Sequence, residues 1–253
     1  FFPSNPEARE NVAERFKVAP ENVFIAPEGA SGVNARAIKC LTSRKRRGEA
    51  VVEYPTYEPL LRQTQSYFST VKRVERRKQN GYKLDKSDIE KAVSKGTALL
   101  VITNPHAPTA VGFTKDELKE IVELAEKYEF YVVCDEIYAE FDRSKIPTMF
   151  SVNPKWGITT TSFSKAYGPG GLKAGIALAS EEIVEQLYSN VLSTTGCGSN
   201  LVELALIDLL TNGREAMERH KQKWRRIREK TLKWLKDAEG INYTPNEVGV
   251  VFW

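Results

Sequence analysis

The stretch "ALLVITNPHAPTAVGFTKDELKEIVELAEKYEFYVVCDEIY" (residues 98–138) sets the architecture. It opens on a short, wholly apolar run, "ALLVIT" (98–103), which reads as a buried strand. Thr114 and Glu117 then carry the signature of a capping box, ahead of a helix over 114–128. Leu118, Ile121, Val122 and Leu124 fall on one stripe of that helix. "FYVVCDEIY" (130–138) is a second buried strand that runs out into polar residues. Two strands without polar alternation, joined by a helix, predict parallel pairing in a sheet covered on both faces.

The flanking sequence repeats the style. "NVFIA" (22–26), "EAVVEY" (49–54), "FSTVKRVE" (68–75), "GITTTSFS" (157–164) and "KAGIALA" (173–179) read as strands. "SGVNARAIKCL" (31–41), a run from about Glu58, and "KSDIEKAVSK" (86–95), with Ser87 as its cap, read as helices. The expected fold is a three-layer α/β/α domain with a mostly parallel central sheet. Functional groups then gather at the carboxyl ends of the strands. That rim would carry Gly29 to Ser31, Tyr57, Asn104, Asp135 and Ser162 to Lys165.

After about Ser180 the pattern changes to long helices, over 181–192, 199–211 and 213–239. The expected division is a large domain over 1–212, then a connecting helix and the start of a smaller C-terminal α/β domain over 213–253. "GVVFW" (249–253) would begin a strand of that second domain. The first residue is Phe1 and the last, Trp253, ends an apolar run, so the expectation is a chain cut at both ends.

With 253 residues, 41% hydrophobic and 28% charged, the composition is that of an ordinary globular protein. The net charge of +4 is spread along the chain, densest in "SRKRRGE" (43–49) and "RHKQKWRRIREK" (219–230). These read as a loop and a solvated helix face; a nucleic-acid patch would need an aromatic or groove-fitting element beside them. Cys40, Cys134 and Cys197 are odd in number and far apart, which points away from a disulfide framework or zinc site. A reducing, cytoplasmic setting is expected. No apolar run approaches the roughly 20 residues of a membrane span.

"TSFSKAYGPGGLKAG" (161–175) admits two readings. Lys165 is either a surface charge in a loop or a nucleophile beside an anion-binding turn. In the second, Lys173 would help to hold Lys165 neutral, and Ser162, Ser164 and the turn amides would bind a phosphate. Asp135 and Tyr138 in "CDEIY" are open in the same way. The carboxylate could pair with a cation or cap a helix. It could instead face a pyridine nitrogen, with the tyrosine hydroxyl on a ring oxygen.

The order and spacing of "PEGASG" (27–32), "YPTYEP" (54–59), "TNPHAPTAVGF" (103–113), "CDEIYAEF" (134–141) and "SFSKAYGPGGLKAG" (162–175) resemble the class I/II, fold-type-I aminotransferases that depend on pyridoxal 5'-phosphate. The resemblance to histidinol-phosphate and aspartate aminotransferase-like members spans nearly the whole chain. It implies a homodimer that moves an amino group between an L-amino acid and a 2-oxo acid. Lys165 would form the aldimine and shuttle the proton. Asp135 would pair with the ring nitrogen, Tyr138 with the ring hydroxyl oxygen, and Tyr57 would stack on the ring. Ala30, Ser31, Ser162, Ser164 and Lys173 would hold the phosphate. No nucleic acid, membrane or metal is implied.

Four positions depart from the family pattern. Ala107 replaces an asparagine that reaches the ring oxygen, and Asn104, three residues upstream, need not reach in its place. Ala110 replaces a turn glycine, Lys173 an arginine, and Phe2 a tyrosine that reaches the partner subunit. None removes Lys165, Asp135 or Tyr138, so cofactor binding is more secure than transamination. A lyase, decarboxylase or oxidase on the same cofactor, or a non-catalytic binder, are the alternatives. Of the histidines, His106 reads as part of a turn and His220 as a solvated helix residue.

Overall fold

The computed structural model describes residues 4–45, 48–168, 170–244, 248 and 250–253, without the side chains of 43–45. Phe2 and part of the 43–49 basic run therefore lie outside the described residues, as do Pro169 and Gly249.

Seven strands form one sheet: β1 (Val23–Ala26), β2 (Glu49–Tyr54), β3 (Thr70–Glu75), β4 (Thr97–Thr103), β5 (Tyr131–Asp135), β6 (Gly157–Thr161) and β7 (Gly175–Leu178). Their order is β1-β7-β6-β5-β4-β2-β3. Every residue of β4, β5 and β6 is buried, as expected of central strands covered on both faces. β7 pairs antiparallel with both β1 and β6, while the remaining described pairings are parallel.

The helices are α1 (Pro6–Phe16), α2 (Gly29–Lys45), α3 (Glu58–Tyr67), α4 (Lys86–Ala92), α5 (Lys115–Tyr128), α6 (Met149–Val152), α7 (Glu181–Thr194), α8 (Asn200–Thr211) and α9 (Arg214–Asp237). Phe24 and Ala26 join the main core with Val33 and Ala37 of α2 and with α7. Val23 and Ile25 point the other way, against Ala8 and Val12 of α1 and Leu206 of α8. Phe150 of α6 belongs to that second cluster; α5 packs beside α6, and α4 beside α5. The result is three layers.

Local chemistry accounts for the helix starts. Asn5 accepts a hydrogen bond from the Glu7 amide at 3.0 Å, ahead of Pro6. Thr114 and Glu117 close the capping box in both directions, at 3.2 and 2.7 Å. Ser87 is not a cap: it lies inside α4, and Asp85 occupies the cap position. Both residue types favour caps, so local preference does not choose between them. Residues 251–253 form no strand; the Trp253 carbonyl accepts from the Thr244 amide at 2.6 Å. Among the described residues, no helix is long and apolar enough to cross a membrane.

Candidate active site

The parallel strands deliver their carboxyl ends to one rim. β7 runs the opposite way, so it starts at the rim where β6 ends. The connection between them therefore holds both Lys165 and Lys173 there. A pocket of about 220 Å³ opens at this rim. Ala30, Ser31, Tyr57, Asp135, Tyr138, Ser164, Lys165 and Lys173 all line it. Ser162 does not: it is 1% exposed and stands one layer behind, its Oγ accepting from the Ser164 amide at 3.2 Å. A larger hollow of about 680 Å³, against α1, α8 and α9, contains none of these residues.

One end of the pocket suits an anion. The first amides of α2 have no partner within the helix, and its dipole adds positive potential there. The turn is drawn tight by the Gly29 amide, which donates to the Lys173 carbonyl at 2.5 Å. Gly29 has φ +68°, and Lys173 itself sits in the left-handed region at φ +55°. A Cβ on Gly175 would lie 2.3 Å from the Gly29 oxygen, so only glycine lets β7 and this turn approach so closely. Glu28 also lines the pocket, but Arg36 grips it with two hydrogen bonds, one of 2.7 Å from Nε.

The other end presents Asp135, 5% exposed at the end of β5. Its Oδ2 accepts from Asn34 Nδ2 at 2.7 Å and its Oδ1 from the Ile137 amide at 3.0 Å. Burial pushes its carboxyl from 3.8 up to about 6, while these two donors pull it down. Tyr138 is half-buried, and desolvation raises its hydroxyl, helped by the negative potential of Asp135. Tyr57 is 47% exposed, its ring free at the mouth.

The floor includes Thr103 and Ala107. Thr103 Oγ1 donates to Glu53 at 2.6 Å and accepts from the Ala107 amide at 2.9 Å. Asn104 does not line the pocket: its Oδ1 accepts from the Phe113 amide at 3.0 Å and its Nδ2 donates to the Pro147 carbonyl. Ala110, where the family pattern has glycine, is held at φ +58°. His106 is 1% exposed and bridges two loops, Nε2 to the Pro55 carbonyl and Nδ1 to Thr109 Oγ1, each at 2.7 Å. Burial lowers its basicity, which suits a neutral cross-link. His220 accepts from Trp224 Nε1 at 2.9 Å, so it is not simply solvated.

Asn34, Thr103 and Glu28 are site residues that the sequence reading missed. Asn34 carries no local signal, being 101 residues from Asp135.

The model of the family described as aminotransferase class I and II matches residues 2–253. The aspartate aminotransferase of Pyrococcus horikoshii is 26% identical over 93% of this chain and 62% of its own length. A histidinol-phosphate aminotransferase of Carboxydothermus hydrogenoformans is 30% identical over 72% of this chain and 49% of its own. The solved aspartate aminotransferase from Thermus thermophilus with maleate superposes with a TM-score of 0.89 at 24% identity. That superposition covers 98% of this chain and 66% of that one, and speaks for the fold. The chain thus spans about 62% of the Pyrococcus protein. On the family match, over a fold and a pocket that agree with it, the chain belongs to the aminotransferase class I and II family.

Proposed function

We propose that this chain is the cofactor-binding part of an aminotransferase that exchanges amino groups between an L-amino acid and a 2-oxo acid. Pyridoxal phosphate is the cofactor of the family, and the donor set fits it. The observation that carries the reading is one pocket with an amine (Lys165), a buried carboxylate (Asp135) and a helix N-terminus beside Lys173. A ligand with an aldehyde, a basic ring nitrogen and a phosphate meets a complementary group at each.

When bound, the cofactor supplies an electron sink for carbanion chemistry. Lys165 is the amine placed to hold its aldehyde carbon. As a free amine, Lys165 would be the group placed to accept and return a substrate proton as general base and acid. Asp135 would face the ring nitrogen and favour its protonated form. Tyr138 would offer its hydroxyl to the ring oxygen, and Tyr57 would cover the ring face. Ala30 and Ser31 would give their amides to the phosphate, Ser164 a hydroxyl and Lys173 a charge, with Ser162 behind Ser164. Residues 213–253 are read as a connecting helix and the start of a second domain. A homodimer and a cytoplasmic setting belong to the same proposal, and the absence of a disulfide at Cys40, Cys134 or Cys197 suits the latter.

The test is an absorbance spectrum with pyridoxal phosphate, followed by borohydride reduction and peptide mapping. The expected result is a visible band and label on Lys165, both lost in Lys165→Ala. Label scattered over surface lysines would sink the reading. Amino acids added one at a time, with mass-spectrometric detection of 2-oxo acids, then separate amino transfer from other reactions.

A further inference from the structure

Asn34 is a fully buried amide on α2, a position where an apolar side chain would satisfy the packing against the sheet. Its two ends are spoken for. Nδ2 donates to Asp135 Oδ2 at 2.7 Å, and Oδ1 accepts from Thr160 Oγ1 on β6. The Thr160 hydroxyl, which also lies 3.4 Å from the Cys134 carbonyl, donates to the amide oxygen and so leaves the amide nitrogen to Asp135. With the amide reversed, its oxygen would meet a carboxylate oxygen, which is tolerable only for a protonated carboxyl. The arrangement is the one that matches an ionised Asp135.

The other charges near Asp135 are answered elsewhere. Glu53 on β2 pushes the Asp135 carboxyl further up but is itself paired with Arg76 at 2.7 Å. Glu136, the next residue, is paired with Arg143 at 2.5 Å, and Glu28 across the pocket with Arg36. The neighbouring thiol of Cys134 is held neutral by burial, and the Tyr138 hydroxyl is raised as well. Lys165 and Lys173 share the pocket. Among the described side chains, it is Asn34 that donates a hydrogen bond to the Asp135 carboxylate.

We propose that Asn34, oriented by Thr160, is the positioning residue that keeps Asp135 ionised and aimed at the cofactor's ring nitrogen. This rests on the reading that the pocket takes pyridoxal phosphate with that nitrogen at Asp135. Asn34 lies behind the carboxylate and acts through it. A charge-assisted hydrogen bond of this kind contributes enough to shift a carboxyl by about one pH unit.

The experiment measures the dissociation constant of pyridoxal phosphate from about pH 5 to about pH 9. It compares the unaltered chain with Asn34→Leu and Thr160→Val. For Asn34→Leu, the acid-side midpoint of binding should move up by about one pH unit, with affinity about tenfold weaker below it. At the alkaline end, where Asp135 is ionised in both proteins, the two constants should agree within about twofold. Thr160→Val, nearly isosteric, should move the midpoint the same way by about half as much. A cofactor analogue with carbon in place of the ring nitrogen should abolish the difference between the proteins.

Uniform weakening at every pH, or equal weakening for the analogue, would reduce Asn34 to a packing residue and overturn the proposal. So would superimposable pH curves. If Asn34→Leu does not fold, Thr160→Val decides: an unmoved midpoint overturns the proposal. If the unaltered chain fails to bind pyridoxal phosphate at all, the underlying reading falls, and this inference with it.

Discussion

Arg76 Nε lies 2.7 Å from Glu53 Oε2, with side chains 1% and 0% exposed. The pair ties β2 to the segment that follows β3, and Glu53 Oε1 also takes the Thr103 amide at 2.5 Å. Thr103 is pocket floor, so this ion pair sets the height of the wall below the site. The Arg76 guanidinium rests on the Phe113 ring at 4.5 Å and donates to the Tyr82 carbonyl at 2.9 Å. Truncating one partner strands the other's charge. Glu53→Ala should destabilise the fold by about 3–5 kcal/mol, read from urea denaturation. A loss below about 1 kcal/mol would show that Arg76 finds water or another acceptor.

Asp135 makes cofactor-free stability depend on pH. Its folded carboxyl titrates at about 6, against 3.8 for the ordinary group. The folded state holds the proton that the unfolded chain releases between these values. This contribution is therefore fully present below the lower value and is lost as pH rises through the upper one. Its size is about 3 kcal/mol at most. Subtracting the Asp135→Asn variant isolates it, because the other groups titrate alike in both proteins. The stability of the unaltered chain relative to that variant should fall between about pH 4 and about pH 7. A flat difference would mean that Asp135 is ionised throughout.

Ala110 is held in the left-handed region at φ +58°, 3% exposed, its amide donating to the His106 carbonyl at 2.6 Å. The turn's hydrogen bonds hold it there against the clash of its Cβ. Ala110→Gly removes that clash at the expense of unfolded-state entropy. It should raise stability by up to about 1 kcal/mol, seen as a higher thermal midpoint with cofactor affinity unchanged. A lower midpoint would place the methyl group's packing above the strain.

Gly175→Ala should have the opposite outcome. The new Cβ would fall 2.3 Å from the Gly29 oxygen and 2.6 Å from Val33 Cγ2, both on or beside the turn that opens α2. A shift of α2 away from β7 would cost about 1–3 kcal/mol or more. It would also move the Ala30 and Ser31 amides, so affinity for pyridoxal phosphate should drop while affinity for phosphate-free pyridoxal changes less. Equal losses for both ligands would place the damage elsewhere in the pocket.

Much of the fold was legible because it is written in local pattern. β4 reads as an apolar run and is buried at every residue. α5 shows its buried stripe and capping box in the sequence itself. The polar residues after each strand fall at one rim because parallel strands share a direction. Eight of the nine residues expected in the site line the pocket; Ser162 stands behind it.

Local pattern fails where a partner is distant. The direction of β7 is not encoded in "KAGIALA", since an apolar strand pairs equally well either way; the reversal emerges only from the β6–β7 connection. Glu53 and Arg76 read as ordinary charges until β2 and the end of β3 bury them together. Asn34 reads as one more helix residue, and 101 residues separate it from Asp135. The sequence by itself determined most elements, the rim and most of the groups that line its pocket, because those follow from periodicity and strand ends. Only the tertiary structure decided which buried polar groups satisfy one another, because hydrogen bonds and ion pairs are short-ranged and the chain must fold before they meet.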